Sequence, residues 1–408
     1  MRKALPKSTL LAIAALCCAL PGCAPFTPKD PVTQTKTDSI VSKPPLIGGQ
    51  DVVVLSRGRS GTGKTAEFLS ATILPGRGMN TVQITAWIPG RGETELLASP
   101  PLDDVATLLQ GDPHGNKSFT VGGAFLVPFA NRIRGRVIHD GKDIEIEWHG
   151  RHVTMPANWV ANREGVPMVG HEPHSMHGLI LAEKTDSIST AKTDSAESFT
   201  GLMHAGDFAS NGGGHWFSEN DVTVTTTLTG QALDFQVTVK NVGKQPEPMA
   251  IGWHPYFAIP SGKRAQATLH IPAIDSVEVN NYDDVFPTGK LAPVAGTDLD
   301  FNIPGGNKLP DVLLDDSFTN PTRNADGNTV VELRDPAAKY GLRVIAVGPE
   351  FQAVQAYSPP DAKFVAIEPQ YNLGDPFGKE WKDRNTGMVT LKPGESTTWH
   401  VKLELFVP

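Results

Sequence analysis

Leu233-Asp234-Phe235-Gln236-Val237-Thr238-Val239-Lys240 alternates apolar and polar residues without a break. A period of two sends successive side chains to opposite faces, so the run predicts a strand with one face in a core and the other in water. Thr229-Gly230-Gln231-Ala232 before it reads as a turn, with Val222 to Leu228 as the antiparallel partner across it. Ile144 to Trp148, Trp399 to Leu405 and Val82 to Trp87 repeat the alternation, and no long 3.6-period segment competes. Gly and Pro (40 and 34 of 408 residues) punctuate short strands throughout. The expectation is all-β: one large antiparallel β-sandwich from about Asp51 to Pro408.

Composition narrows the function classes. With 39% hydrophobic and 20% charged residues the chain can bury a large core. A net charge of -8 supplies no dense basic face for counterion release, which argues against a nucleic-acid partner.

The first residues read as an export signal. Arg2, Lys3 and Lys7 carry no acidic neighbour, and Leu10 to Leu20 is uncharged but too short for a permanent span. Leu20-Pro21-Gly22-Cys23 is similar to the lipobox of bacterial lipoproteins, in which cleavage before the Cys exposes a thiol for acylation. The expectation is a signal peptide over 1–22 and lipid attachment at Cys23. A Pro-, Thr-, Lys- and Ser-rich tether over 23–50 would follow, on a protein of the bacterial cell envelope, on the periplasmic side of the outer membrane. Only the lipid anchor would bind the membrane. Cys17 and Cys18 would leave with the signal, so no thiol remains for a disulfide or a Cys-based zinc site.

Three further stretches demand a reading. Glu183 to Ser198 carries Lys-Thr-Asp-Ser at 184–187 and again at 192–195, and the same tetrapeptide occurs at 36–39. Its composition suggests a low-complexity surface insertion or mobile loop. Gly58-Arg59-Ser60-Gly61-Thr62-Gly63-Lys64-Thr65 spells a phosphate-binding loop. Such a loop needs a helix behind it in a parallel α/β sheet, whereas Ala66 to Leu74 allows at most a short helix before Pro75, and no train of strand–helix units follows. We therefore read it as a Gly-rich loop without nucleotide. His171, His174 and His177 sit three apart, a spacing that suits a metal set, but Pro173 disfavours a helix and no H-E-x-x-H occurs. The reading adopted is a loop in which His177 alone has a role.

Asn131-Arg132-Ile133, Ser175-Met176-His177-Gly178, His254-Pro255-Tyr256-Phe257 and Ile367-Glu368-Pro369-Gln370 resemble, in this order, the signature segments of the aldose 1-epimerases, or galactose mutarotases. Phe286 to Lys290, Val294 to Thr297 and Asp300-Phe301 look like the loop that precedes that family's binding aspartate, which falls at Asp315 in Leu314-Asp315-Asp316-Ser317-Phe318, with Asp316 the other candidate. The resemblance implies the mutarotase-like β supersandwich and interconversion of the α and β anomers of free aldohexoses of the glucose and galactose type. Ring opening takes a proton from the C1 hydroxyl while protonating the ring oxygen, and closure reverses the roles, so each group must both donate and accept near neutrality. By resemblance Glu368 is the base and His254 the acid. Arg132, His177 and Asp315 would hold sugar hydroxyls, with Asn131 in support. The substrate would be a small-molecule sugar, with no cofactor and no metal. A non-catalytic carbohydrate-binding lipoprotein on the same scaffold is the alternative. Tyr371 to Phe377 departs from the Pro-Asp-Ala that usually follows Glu-Pro-Gln, as do Ala258 after Phe257 and Leu179 after Gly178, and these departures bear on substrate choice.

Overall fold

In the computed structural model, residues 45–159, 162–163, 166–167, 172–207 and 215–408 are described, so Cys23, the signal, most of the tether and His171 lie outside them. Leu233, Phe235, Val237 and Val239 are fully buried, as their alternation requires. Their strand, Ala232–Asn241, pairs with His215–Thr229 on one side and Ser396–Phe406 on the other, in registers that set Leu228 against Leu233 and Trp399 against Val237. Thr229 closes the turn by accepting from the Ala232 N–H at 2.9 Å.

These strands belong to a nine-stranded sheet that packs on one of eleven strands, and every pairing described in these two layers is antiparallel. Aromatic rings fill the space between them. Phe235 of the smaller sheet lies 4.6 Å from Trp253 of the larger (centroid to centroid), and Phe125 meets Phe235 and Trp399 at 5.9 and 6.1 Å. All four are buried to within 1%, so truncating either Trp to Ala would cost about 3–5 kcal/mol in lost transfer and cavity energy. The outer face of the smaller sheet is polar, with cross-strand hydroxyl pairs such as Thr200–Thr225 and Thr238–Thr398. The one α-helix among the described residues is Leu102–Leu108. The fold is thus the expected antiparallel β-sandwich.

Three local expectations change. Glu67–Leu74 is a strand rather than a short helix, because Phe68, Ala71, Ile73 and Leu74 enter the core beside the alternating strand Asn80–Ile88. Glu183 to Ser198 is not a loop: Ser187–Lys192 and Ala196–Asp207 form an antiparallel hairpin that adds the edge strand of the smaller sheet. Ser, Thr and Ile are good strand formers once a neighbour offers a ladder. Packed chain also begins before Asp51, since Ile47 is 2% exposed and Gln50 donates to the Thr185 carbonyl.

The phosphate-loop spelling has a physical account. The loop after Arg57 wraps the carboxylate of Glu67, which accepts from the Ser60 N–H and Oγ, the Gly61 N–H and Arg57 Nη1 at 2.9–3.3 Å. The protein's own anion sits against those backbone donors. Burial pushes the Glu67 carboxyl up, but the bonds from Ser60, Arg57 and Gly61 outweigh it and hold it down at about 2. Arg59 stacks over Trp87, whose Nε1 donates to the Gly63 carbonyl.

Candidate active site

Strand pairing places the polar row. Gly252 opposes Gln370 and Tyr256 opposes Ala366, so His254 stands across from Glu368 on the adjacent strand. Glu368 opposes Gln355, and Gln355 opposes Ser317, two residues along from Asp315. Opposed residues share a face. His254, Glu368, Gln355 and Asp315 therefore line one face of the larger sheet across four neighbouring strands. The alternate residues Trp253, Ile367, Val354 and Phe318 turn into the core.

A second layer is held over that row. The short strands Arg132–Ile133 and Ser175–Met176 pair with Arg132 against Met176, and the His177 N–H donates to the Asn131 carbonyl at 2.8 Å. Asn131 and His177 both adopt left-handed backbone, φ 62° and 65°, sparsely populated for non-glycine residues and costing about 1 kcal/mol or more each. Gly178 follows at φ 79°, where a Cβ would meet the Val127 carbonyl at 2.4 Å. The segment is gripped from behind. Asn372 exchanges two hydrogen bonds with the backbone of Ala130, at 2.9 and 2.8 Å. Asp375 donates its N–H to the Arg132 carbonyl and accepts from the Arg134 N–H and Nε.

The side chains close a ring of contacts. Arg132 Nη1 donates to Asn131 Oδ1 (3.0 Å), Asn131 Nδ2 to Gln355 Oε1 (3.2 Å) and Gln355 Nε2 to Asp315 Oδ1 (2.6 Å), while Asp315 Oδ2 lies 3.7 Å from Arg132 Nη2. Beside it, His254 Nε2 is 3.3 Å from Glu368 Oε1, and Gln370 Nε2 donates to Glu368 Oε2 at 3.0 Å. The His177 ring meets His254 at 4.8 Å and Phe119 at 4.6 Å between centroids. His254 and Glu368 side chains are 5% and 2% exposed, against 12% and 14% for Arg132 and Asp315, so solvent approaches from the Arg132–Asp315 end. Two surface clefts among the described residues, of about 300 and 500 Å³, include no residue of this row.

Burial sets the protonation states. It raises the Glu368 carboxyl well above the ordinary range, reinforced by the Asp315 charge and only partly opposed by Arg132 and the Gln370 hydrogen bond. It lowers His254 to about 4, with Arg132 adding to the effect, and lowers His177 well below the ordinary imidazole value, helped by His254 and Arg132. Asp315 is raised by burial and by Asp316, against the pull of Arg132 and Gln355. Burial thus inverts the usual order of the two groups, so that a single proton shared by the pair rests on the carboxyl. Such a pair can accept at one atom while donating at another.

Every candidate residue inside the described chain finds a definite place. Asn131, Arg132, His177, His254, Asp315 and Glu368 converge, whereas Asp316 turns away and its Oδ1 accepts from Tyr282 OH at 2.8 Å. His174 directs Nδ1 to the Glu172 carbonyl and its ring to Phe286, and reaches His177 only through its charge. Among the described residues, the metal-ligating atoms that do approach one another belong to His177, His254 and Glu368, within 4.8 Å. The Arg132 guanidinium acts on all three and opposes a cation there. Gln355, Asn372 and Asp375 escaped the sequence reading. Gln355 had a signal, a lone amide inside the otherwise apolar Ala353-Val354-Gln355-Ala356.

Comparison with known proteins gives the family and the fold. The family model described as aldose 1-epimerase matches residues 100–404. The uncharacterized protein YphB of Escherichia coli is 24% identical over 294 residues, 69% of this chain and 82% of its own. A galactose mutarotase-like protein from Clostridium acetobutylicum superposes with a TM-score of 0.68 at 17% identity, covering 88% of this chain and 99% of its own. The GalM/aldose epimerase homologue from C. elegans gives 0.60 at 19% identity, over 84% and 99%. A galactose 1-epimerase from Lactobacillus acidophilus gives 0.55 at 14%, over 88% and 99%. At these identities the structural likeness speaks for the fold.

Proposed function

Because this chain belongs to the aldose 1-epimerase family, we propose that it interconverts the α and β anomers of free aldohexoses of the glucose and galactose type. The observation that carries the reading is the buried His254–Glu368 pair at 3.3 Å beside the Arg132–Asn131–Gln355–Asp315 ring.

The chemistry balances within that pair. The resting pair keeps its proton on Glu368, and the reacting tautomer carries it on His254: the Glu368 carboxylate then takes the C1 hydroxyl proton as the C1–ring-oxygen bond breaks, and His254 Nε2 delivers its proton to the departing ring oxygen. The products are the open aldehyde, a neutral imidazole and a protonated carboxyl. Rotation about C1–C2 presents the other carbonyl face. The ring hydroxyl then attacks C1, returning its proton to His254 while Glu368 protonates the new C1 oxygen. The sugar's oxidation state is unchanged, so the reaction calls for no nicotinamide or flavin. Arg132, His177 and Asp315 hold hydroxyls, and the buried Arg132 Nε, His177 Nδ1 and Gln370 Oε1, which have no protein partner, suit a polyhydroxylated guest.

Polarimetry on freshly dissolved α-glucose and α-galactose tests the reading. Acceleration above the buffer rate supports it. Sugar binding without acceleration would make the protein a carbohydrate-binding module instead. On the same footing we place the protein in the bacterial cell envelope, held by lipid on Cys23. Cys23→Ser should move it from the membrane to the soluble fraction and abolish labelling by a fatty acid, and unchanged fractionation would contradict the anchor.

A further inference from the structure

The Lys-Thr-Asp-Ser repeat lies outside everything assigned above, and the fold puts it at an edge. Ser187–Lys192 ends the nine-stranded order, pairs with its neighbour through six residues without a bulge, contains no Pro, and exposes all six side chains, Ile188 to 57%. A regular edge of this kind, paired with no further strand among the described residues, is a template for another strand. We propose that it pairs antiparallel with the same strand of a second copy of this chain, about a two-fold axis at Ser189.

Main-chain phase and charge select that register together. The Thr193 N–H donates inward to the Ala196 carbonyl. Since bonding direction alternates along a strand, Ile188, Thr190 and Lys192 turn their N–H and C=O groups outward. Outward residues can meet only outward residues, which restricts self-pairing to registers that move in steps of two. With Ser189 on the axis, Ile188 bonds Thr190 of the other copy within the strand, while outside it Asp186, at the bend before the strand, faces Lys192, and Lys184 faces Asp194 of the hairpin turn, each pair occurring twice. The Asp186 N–H is taken by the Leu202 carbonyl and its Oδ2 accepts from the His204 N–H at 2.7 Å, so beyond Ile188 the side chains carry the match, Asp186 through its other carboxylate oxygen. Lys192 also lies 3.4 Å from Glu197 of its own chain, yet its side chain is 68% exposed and keeps donors free to reach outward. Sliding one step either way sets Lys184 against Lys192 or Asp186 against Asp194. The eight-residue repeat of Lys and Asp, two residues apart within each copy, thus makes one register favourable and its neighbours repulsive. The contact is smaller than a standard interface, so the dimer should be weak, with a dissociation constant in the micromolar to millimolar range.

Sedimentation velocity of the full chain over that concentration range tests the proposal. The wild-type weight-average sedimentation coefficient should rise with concentration. Lys184→Asp alone and Asp194→Lys alone should each weaken association about tenfold or more, and the double exchange should restore it to within about threefold. Thr190→Pro removes one outward N–H while leaving the inward ladder intact, and should abolish association without lowering the unfolding temperature. A chain that stays monomeric throughout, whether the edge is bare or covered by its own Lys36 to Ile40, overturns the proposal. So do single exchanges without effect or a double exchange that fails to restore association.

Discussion

Asp375 donates its backbone N–H to the carbonyl of Arg132 at 2.6 Å, and the Asp375 carboxylate, 2% exposed, takes both the N–H and Nε of Arg134. A residue that faces away from the polar row thereby fixes the path of the chain carrying its guanidinium. Asp375→Asn suits the left-handed backbone there (φ 48°) but removes the charge opposite Arg134. Polarimetric assays should show KM raised several-fold with a smaller change in kcat, and thermal melts a stability loss of about 1–3 kcal/mol.

The pH dependence of anomer exchange follows from the inverted order of the two buried groups. Glu368 is raised and His254 lowered, so over a broad window the pair holds one proton. As pH falls through about 4, His254 gains a proton while Glu368 already has one, and no base remains. As pH rises through the elevated Glu368 value the last proton leaves, and no acid remains. The enzymatic rate, after subtraction of the buffer-catalysed rate at each pH, should form a bell with a broad top. Its acid limb should lie below the ordinary imidazole range. A limb centred near 6.5 would assign the titrating group elsewhere.

Gln355 joins two halves of the ring, accepting from Asn131 and donating to Asp315. Gln355→Leu strands both partners and removes a bond that holds the Asp315 carboxyl down. Leaving a buried polar group unpaired costs about 1–3 kcal/mol, so sugar binding measured by titration calorimetry should weaken by roughly ten- to a hundredfold.

Glu67 is the anion of its own loop, and Glu67→Ala should lower stability by about 2–3 kcal/mol as the Ser60, Gly61 and Arg57 donors lose their partner. Its folded value, near 2 against 4.5 for a free side chain, means the contribution is present above about pH 5 and lost as pH falls toward 2. Denaturant titrations at pH 7 and pH 3 should show the wild-type advantage over the variant shrinking. Lys64→Ala should leave both curves unchanged.

Alternation carried most of the fold. Leu233 to Lys240 and its partners were legible because one face of each strand is dry and the other wet. Glu67 to Leu74 was not, because a strand buried on both faces loses its period and resembles a buried helix. Glu183 to Ser198 was misread for the opposite cause: its first strand buries nothing, and only the ladder from Ala196–Asp207 orders it. The site was legible where residues sit in short recognisable runs, as at His254 and Glu368. Gln355 and Asp375 act through partners more than 200 residues away, Asn131 and Arg134, and no local pattern announces such contacts.

Proton movement on a bound sugar by Glu368 and His254 can be followed without a chemical label. Two-dimensional exchange NMR on equilibrated glucose and galactose measures α-to-β interconversion directly, while saturation-transfer signals from the same tubes report binding. The wild type should give exchange cross-peaks, and Glu368→Gln should retain saturation transfer with exchange reduced to the buffer rate. Wild-type exchange rates in Glu368→Gln would contradict proton movement by this pair.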